Sequence, residues 1–400
     1  MNRRIRQGSI TQESENRIDV LLLGATLVLL AMGLIMVTSA SISVADQKTG
    51  QPFYYLVRQT VYVIMGLAAG FAVTRVPIDF WQRHGTKLLI AGIALLALVL
   101  IPGIGREVNG SMRWIRFGVF NLQPSELVKL FTVIYLPGYL MRHGQEVQSS
   151  MSGLIKPTVI LLIICALLLL EPDFGAATVI LMTGLTVMFL GGVRLWQFSL
   201  FMLGMLAVLA GLALSSPYRV ERLTSFMNPW ADPFNSGFQL IQALIAFGRG
   251  NVTGVGLGDS VQKLFYLPEA HTDFLFAIMA EELGYISTVV VIGLFALIIW
   301  RSFRIGQLAE QQEKLYSAYL SYGIGLWLGF QAFVNIGVNM GVLPTKGLTL
   351  PLMSFGGSSI VVTCIAIAIL LRIYFELQSS GARRVRKETS DSTSKWGWAS

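Results

Sequence analysis

The chain has 400 residues, of which 54% are hydrophobic and 13% charged, and a formal net charge of +8. Soluble domains carry about 25% charged residues, so this chain has too few charges to clothe a water-facing surface of its size. Soluble, disordered and disulfide-scaffold classes are excluded, and an all-α polytopic membrane protein is expected.

A membrane-crossing helix needs about 20 mostly apolar residues. In chain order such runs lie near 19–39, 54–74, 86–102, 124–141, 154–171, 173–191, 195–215, 273–300, 316–341 and 351–376, which predicts ten transmembrane helices. Small residues at Ser39–Ala40–Ser41 imitate a signal-peptide cleavage site, but the preceding apolar run is too long, so the first helix is read as uncleaved. Basic residues concentrate on one side of this arrangement, among them Arg3, Arg4, Arg6, Arg75, Arg83, Lys87, Arg372, Arg383, Arg384, Arg386 and Lys387. Loops rich in Lys and Arg stay in the cytoplasm, so both termini are expected there, and the positive charge reads as a topology signal rather than a nucleic-acid footprint. The expected domains are a cytoplasmic tail over 1–18, a membrane domain over 19–376 and a basic, disordered cytoplasmic tail over 377–400.

Most connections are short, but 216–272 makes a large extracytoplasmic loop before the eighth helix. Loops of that length in compact bundles are usually functional. It carries Pro217, Pro229, Pro233 and Pro268, and Phe238, Ile241, Leu244 and Ile245 share a helical face. A short interfacial helix is expected there, capped by Asn235 or Ser236. Cys165 and Cys364 sit in apolar runs, and His84, His143 and His271 are far apart, so neither type forms a metal-ligand spacing.

Ionisable residues inside spans are expensive and point to function. Glu126 and Lys129 are three residues apart and can pair on one helix face. Asp273 opens the eighth span, with Glu281 and Glu282 two turns further in, and Glu171 and Asp173 flank Pro172 in a tight turn. Each group also has a structural reading: a self-neutralising packing pair, a carboxylate at a helix N-terminus, or turn and cap residues. The glycines of 248–258 do not make a dinucleotide fingerprint, because Asp259 occupies the last required position and no strand–helix unit surrounds them.

Four motifs carry a resemblance. They are Asn109–Ile115 with Gln123–Lys129, Glu171–Gly175, Tyr266–Phe274 continuing through Ala280–Gly284, and Leu343–Gly347 running on to Ser354–Ser359. Together they resemble the signature of the SEDS family (shape, elongation, division and sporulation), and Ala246-Phe247-Gly248-Arg249-Gly250 resembles its cell-division branch. Phe355 departs from the tyrosine of many members and removes a hydroxyl. The resemblance implies a peptidoglycan glycosyltransferase that polymerises lipid II during septal wall synthesis in the bacterial cytoplasmic membrane. It implies a class B penicillin-binding transpeptidase partner, FtsI, and further division proteins FtsQ, FtsL, FtsB and FtsN. Carried onto matching positions, it makes Asp273 the essential acid and Glu126 with Lys129 its supporting pair.

Forming a β-1,4 bond from an α-linked diphosphate donor inverts the anomeric centre, so one carboxylate can serve as base toward the acceptor hydroxyl. The leaving diphosphate needs cationic stabilisation. Arg113, Arg116, Arg249, Lys263 and Lys346 are the further candidates for binding substrate, with His271 in the most specific motif. No permanently bound cofactor is expected; a divalent cation stays open, although no carboxylate cluster dedicated to one is visible. Two other readings also stay open: a flippase for lipid II, and a non-catalytic scaffold that recruits a transpeptidase.

Overall fold

The computed structural model describes residues 18–108, 111–117, 120–214, 226–235, 237–344 and 347–396. In chain order its helices are α1 (Val20–Thr49), α2 (Tyr54–Val73), α3 (Ile78–Val99), α4 (Pro124–Ser149), α5 (Ser152–Leu170), α6 (Phe174–Leu190), α7 (Leu195–Leu214), α8 (Phe238–Gly250), α9 (Leu275–Gln311), α10 (Leu315–Asn339) and α11 (Gly357–Trp396). The protein is a helical, polytopic membrane protein. Each of the expected spans falls on a helix, but among the described residues five are long and apolar enough to cross a membrane: α1, α2, α5, α9 and the Gly357–Ser380 part of α11. For four of the others a reason is visible. α3 begins with Asp79, Arg83 and Lys87, α4 holds Glu126 and Lys129, α6 has 17 residues, and α10 carries Gln331, Asn335 and Asn339.

Three features differ from expectation. A small antiparallel sheet of β1 (Gly105–Val108), β2 (Ser111–Phe117) and β3 (Phe120–Leu122) joins α3 to α4, with a bulge between Arg106 and Glu107. Two of its strands, of four and three residues, are too short for sequence periodicity to reveal. The backbone of α11 stays helical to Trp396, through most of the tail expected to be disordered. The cap of α8 is Gly237, and Asn235 donates to Asp232 at 3.0 Å instead; Ser236 lies outside the described residues.

α9 lies against α10, α8 and α1, while α11 packs on α2, and α3 on α4. One apolar core joins α1, α9, α10 and α11, and a second joins α3 to α6. The sheet, the α5–α6 turn, the start of α9 and the end of α10 all meet at one end of the bundle. That sheet end carries the candidate site.

Candidate active site

Asp173 anchors the α5–α6 turn. Its Oδ1 accepts from Ala176 N at 3.1 Å, the expected N-cap of α6. Its Oδ2 accepts from Ser125 Oγ at 3.2 Å and Gln123 Nε2 at 3.4 Å, which ties the start of α4 to this turn. Arg113 on β2 reaches the same turn, donating from Nε to Glu171 O at 2.9 Å and from Nη2 to Pro172 O at 2.6 Å. Glu171, one residue beyond α5, is fully buried, and among the described residues neither carboxyl oxygen has a hydrogen-bond partner. Burial, reinforced by the Asp173 charge, pushes its carboxyl up to about 8, so it is neutral at pH 7.

Asp273 sits two residues before α9, outside the span itself. Its backbone is held from α10: Asn335 Nδ2 and Asn339 Nδ2 each donate to Asp273 O at 2.9 Å. Asn335 also donates to Leu348 O, and Asn339 Oδ1 accepts from Ala277 N at 3.1 Å. Among the described residues, no side chain pairs with the Asp273 carboxylate, which lies beside Gly347 and is partly exposed. Burial of its surroundings raises its pKa to about 7; Glu269 and Asp173 add to the rise and Arg113 opposes it. A carboxylate tuned near neutrality, fixed through its backbone and left without a partner, suits a general base.

Glu126 and Lys129 lie deeper in the bundle, in direct contact as expected. Lys129 Nζ donates to Glu126 Oε1 at 2.8 Å and to Gln331 Oε1 at 2.7 Å, with the side chain 1% exposed. Gln331 also accepts from Trp327 Nε1 at 3.0 Å and donates to Thr349 O at 3.1 Å. Thus Gln331 and Asn335, one turn apart, hold the neighbouring carbonyls of Thr349 and Leu348, and Asn335 holds Asp273 as well. The buried pair is thereby joined to the Leu348–Thr349 strap beside Asp273.

The loop cations divide. Arg249 Nη1 pairs with Glu281 Oε1 at 3.0 Å, and Lys263 Nζ pairs with Glu282 Oε1 at 2.7 Å. Lys263 also donates to Gly258 O and Ser39 Oγ, while Ser39 donates to both Glu282 oxygens at 2.7 Å. Ser260 Oγ and the backbone N–H groups of Val261 and Gln262 complete the shell of Glu281. These glutamates clamp residues 249–263 onto α9, so both cations expected to meet a diphosphate are already paired with carboxylates, Arg249 with its side chain 41% exposed. Gly284, at φ 74°, breaks α9 here, and with Gly254 it lets the two backbones touch.

His271 is buried between Tyr55 and Phe355, with ring centroids 4.5 and 5.7 Å away. Burial lowers its pKa, so the ring is neutral at pH 7. Phe355 packs against the rings of Tyr55, Tyr62 and His271. Arg116 is exposed on β2, opposite Asn121. Lys346 lies outside the described residues. Among the described residues, no group of three carboxylate, imidazole or thiolate side chains could hold a metal ion. A dedicated cation cage therefore does not fit these side chains. Sequence reasoning missed Gln331, Asn335 and Asn339, whose four-residue spacing in an apolar span was the available signal.

The FTSW_RODA_SPOVE family model, described as "Cell cycle protein", matches residues 20–379. The chain belongs to this family. Its SEDS motifs supply the start of α4, the α5–α6 turn, the Asp273 segment and the strap near Thr349. Similar relatives include the "Probable peptidoglycan glycosyltransferase FtsW" of Nitrosococcus halophilus, 56% identical over 90% of this chain and 92% of that one. The protein of the same name from Thioalkalivibrio sulfidiphilus is 54% identical over 93% of each chain. Among solved structures, one chain comes from work on the structural coordination of polymerization and crosslinking by a peptidoglycan synthase complex. It aligns with a TM-score of 0.73 and 31% identity, over 90% of this chain and 98% of that one. The rod shape determining protein RodA of Thermus thermophilus aligns with a TM-score of 0.66 and 28% identity, over 89% and 96%.

Proposed function

We propose that this chain is a peptidoglycan glycosyltransferase that polymerises lipid II into β-1,4-linked strands at the division septum, with Asp273 as general base. It is a multi-pass protein of the inner membrane at the division site. Ten helices span the bilayer in this reading, both termini are cytoplasmic, and the sheet end faces outward, where the acceptor and donor sugars would be. The observation that carries the mechanism is the Asp273 carboxylate: held through its own carbonyl by two asparagines, unpaired among the described side chains, and with a pKa of about 7. In that state it can take the proton of an acceptor hydroxyl as the hydroxyl attacks the anomeric carbon opposite the departing diphosphate. One carboxylate suffices because inversion needs no covalent sugar intermediate. Arg113, part-exposed on β2, and exposed Arg116 are the cations proposed to meet the diphosphate; Lys346 joins them in the same proposal.

Glu126 and Lys129 act as positioning residues through Gln331 and Thr349. A class B transpeptidase, FtsI, is the proposed partner, in line with the similarity to a chain of a peptidoglycan synthase complex; FtsQ, FtsL, FtsB and FtsN extend the same proposal. The flippase reading is disfavoured because Glu126, Glu281 and Glu282, the buried carboxylates of α4 and α9, are each paired with a cation. The deciding experiment is polymerisation of lipid II by the purified protein, with and without the transpeptidase. Asp273→Asn keeps the side-chain size and removes the base, so product should fall by about 10²–10⁴-fold. Full activity of Asp273→Asn would sink the assignment. Retained transpeptidase binding without activity would exclude a pure scaffold.

A further inference from the structure

Opposite the sheet end, a groove of about 740 Å³ opens between α1, α2 and α11. Its walls are apolar, with Leu23, Leu67, Phe71, Ile367, Leu371 and Phe375 among the lining residues. Leu67 and Phe71 are 40% and 63% exposed, so the groove faces what surrounds the bundle, not its core. Beside lipid there is no water to expel, and such a trough is covered by hydrocarbon through dispersion contacts.

Two arginines give this trough a polar end. Arg75 follows α2 and lies over the Phe71 ring at 4.5 Å, and Arg372 of α11 donates to Thr74 O at 3.0 Å. The guanidinium groups therefore belong to adjacent points of the same rim. Two carboxylates near this end are already engaged: Asp19 with Arg301 at 2.7 Å and Glu376 with Arg372 at 2.8 Å. Arg75 has no ion pair among the described residues and is exposed. An apolar trough that ends in an unspent guanidinium matches an acyl chain joined to a phosphate.

We propose that this groove binds one anionic diacyl phospholipid, with its acyl chains along α2 and α11 and its phosphate at Arg75 and Arg372. Basic pockets between spans recruit acidic headgroups in this way. The bound lipid would seal α1 against the α2–α11 pair at the end remote from the reaction. The inference does not depend on the proposed catalysis.

The test is native mass spectrometry of the full-length protein released from mixed micelles of dioleoylphosphatidylglycerol and dioleoylphosphatidylcholine. The two lipids share their chains and differ in headgroup charge. Wild type should retain the glycerol lipid about fivefold over the choline lipid, and Arg75→Gln should lose about that factor. Leu67→Trp narrows the groove and should lower retention of both lipids. Gel filtration and circular dichroism confirm that each variant is folded, which exposed positions should allow. Equal retention of the two lipids by wild type, or undiminished selectivity in Arg75→Gln, would overturn the proposal. Displacement of phosphatidylglycerol by an equimolar polyprenyl phosphate would overturn the diacyl assignment.

Discussion

Replacing Lys129 by methionine removes the only ammonium from a closed set of groups on α4 and α10. Glu126 is left with a side chain 6% exposed, its Oε1 stripped of the 2.8 Å contact and its Oε2 already without a partner. Gln331 keeps its Trp327 donor, so the damage centres on the stranded carboxylate. Breaking a buried pair from one side costs about 3–5 kcal/mol, whereas replacing both partners by similar apolar or neutral groups is often close to neutral. Lys129→Met should therefore lose about that amount, and Glu126→Gln combined with Lys129→Met should recover most of it. Equilibrium unfolding of the purified protein in mixed micelles measures all four corners of the cycle. Simple additivity of the two single changes, or a Lys129→Met protein within about 0.5 kcal/mol of wild type, would refute the reasoning.

Polymerisation should rise with pH through a midpoint near 7, because only the ionised Asp273 can accept a proton. Arg113→Gln removes a charge that lowers that pKa and should move the midpoint upward; initial rates across buffers of constant ionic strength report both. Lys263→Met strands Glu282 beneath the 249–263 clamp, costs about 3–5 kcal/mol, and should open the segment to limited proteolysis; unchanged cleavage would count against the clamp. Met227, Trp230 and Phe234 are 81%, 63% and 85% exposed, so hydrogen exchange should slow across 226–235 when the transpeptidase binds, with little change in the already clamped 251–263.

Why some of this was legible in the sequence and some was not follows from range. Apolar runs located the helices, and a three-residue separation was enough to predict that Glu126 meets Lys129. Asp173 as a cap is equally local, since its partner is three residues away. By contrast, Glu281 and Glu282 meet Arg249 and Lys263, 32 and 19 residues distant, and Ser39 comes from another helix altogether. No short-range pattern encodes those distances. Gly254 and Gly284 bring two backbones into contact, a long-range demand that the run of glycines alone does not specify. The partners of the loop's basic residues were hidden for the same reason: a guanidinium or ammonium takes its neighbours from the fold.

The same logic explains how a base can stay available in a crowded site. A carboxylate gripped by hydrogen bonds would be positioned but spent, its proton affinity lowered by each donor. At Asp273 the grip is moved to the carbonyl, where Asn335 and Asn339 act, and the carboxylate keeps its lone pairs. The amides themselves are ordered by their helix and by bonds to Leu348 and Ala277. One turn earlier, Gln331 does the corresponding work on Thr349 and is in turn held by Lys129. Three amides at four-residue spacing thus connect a buried ion pair to the reacting end through neutral groups. That arrangement accounts for a carboxyl poised near neutral pH at the rim of an apolar bundle.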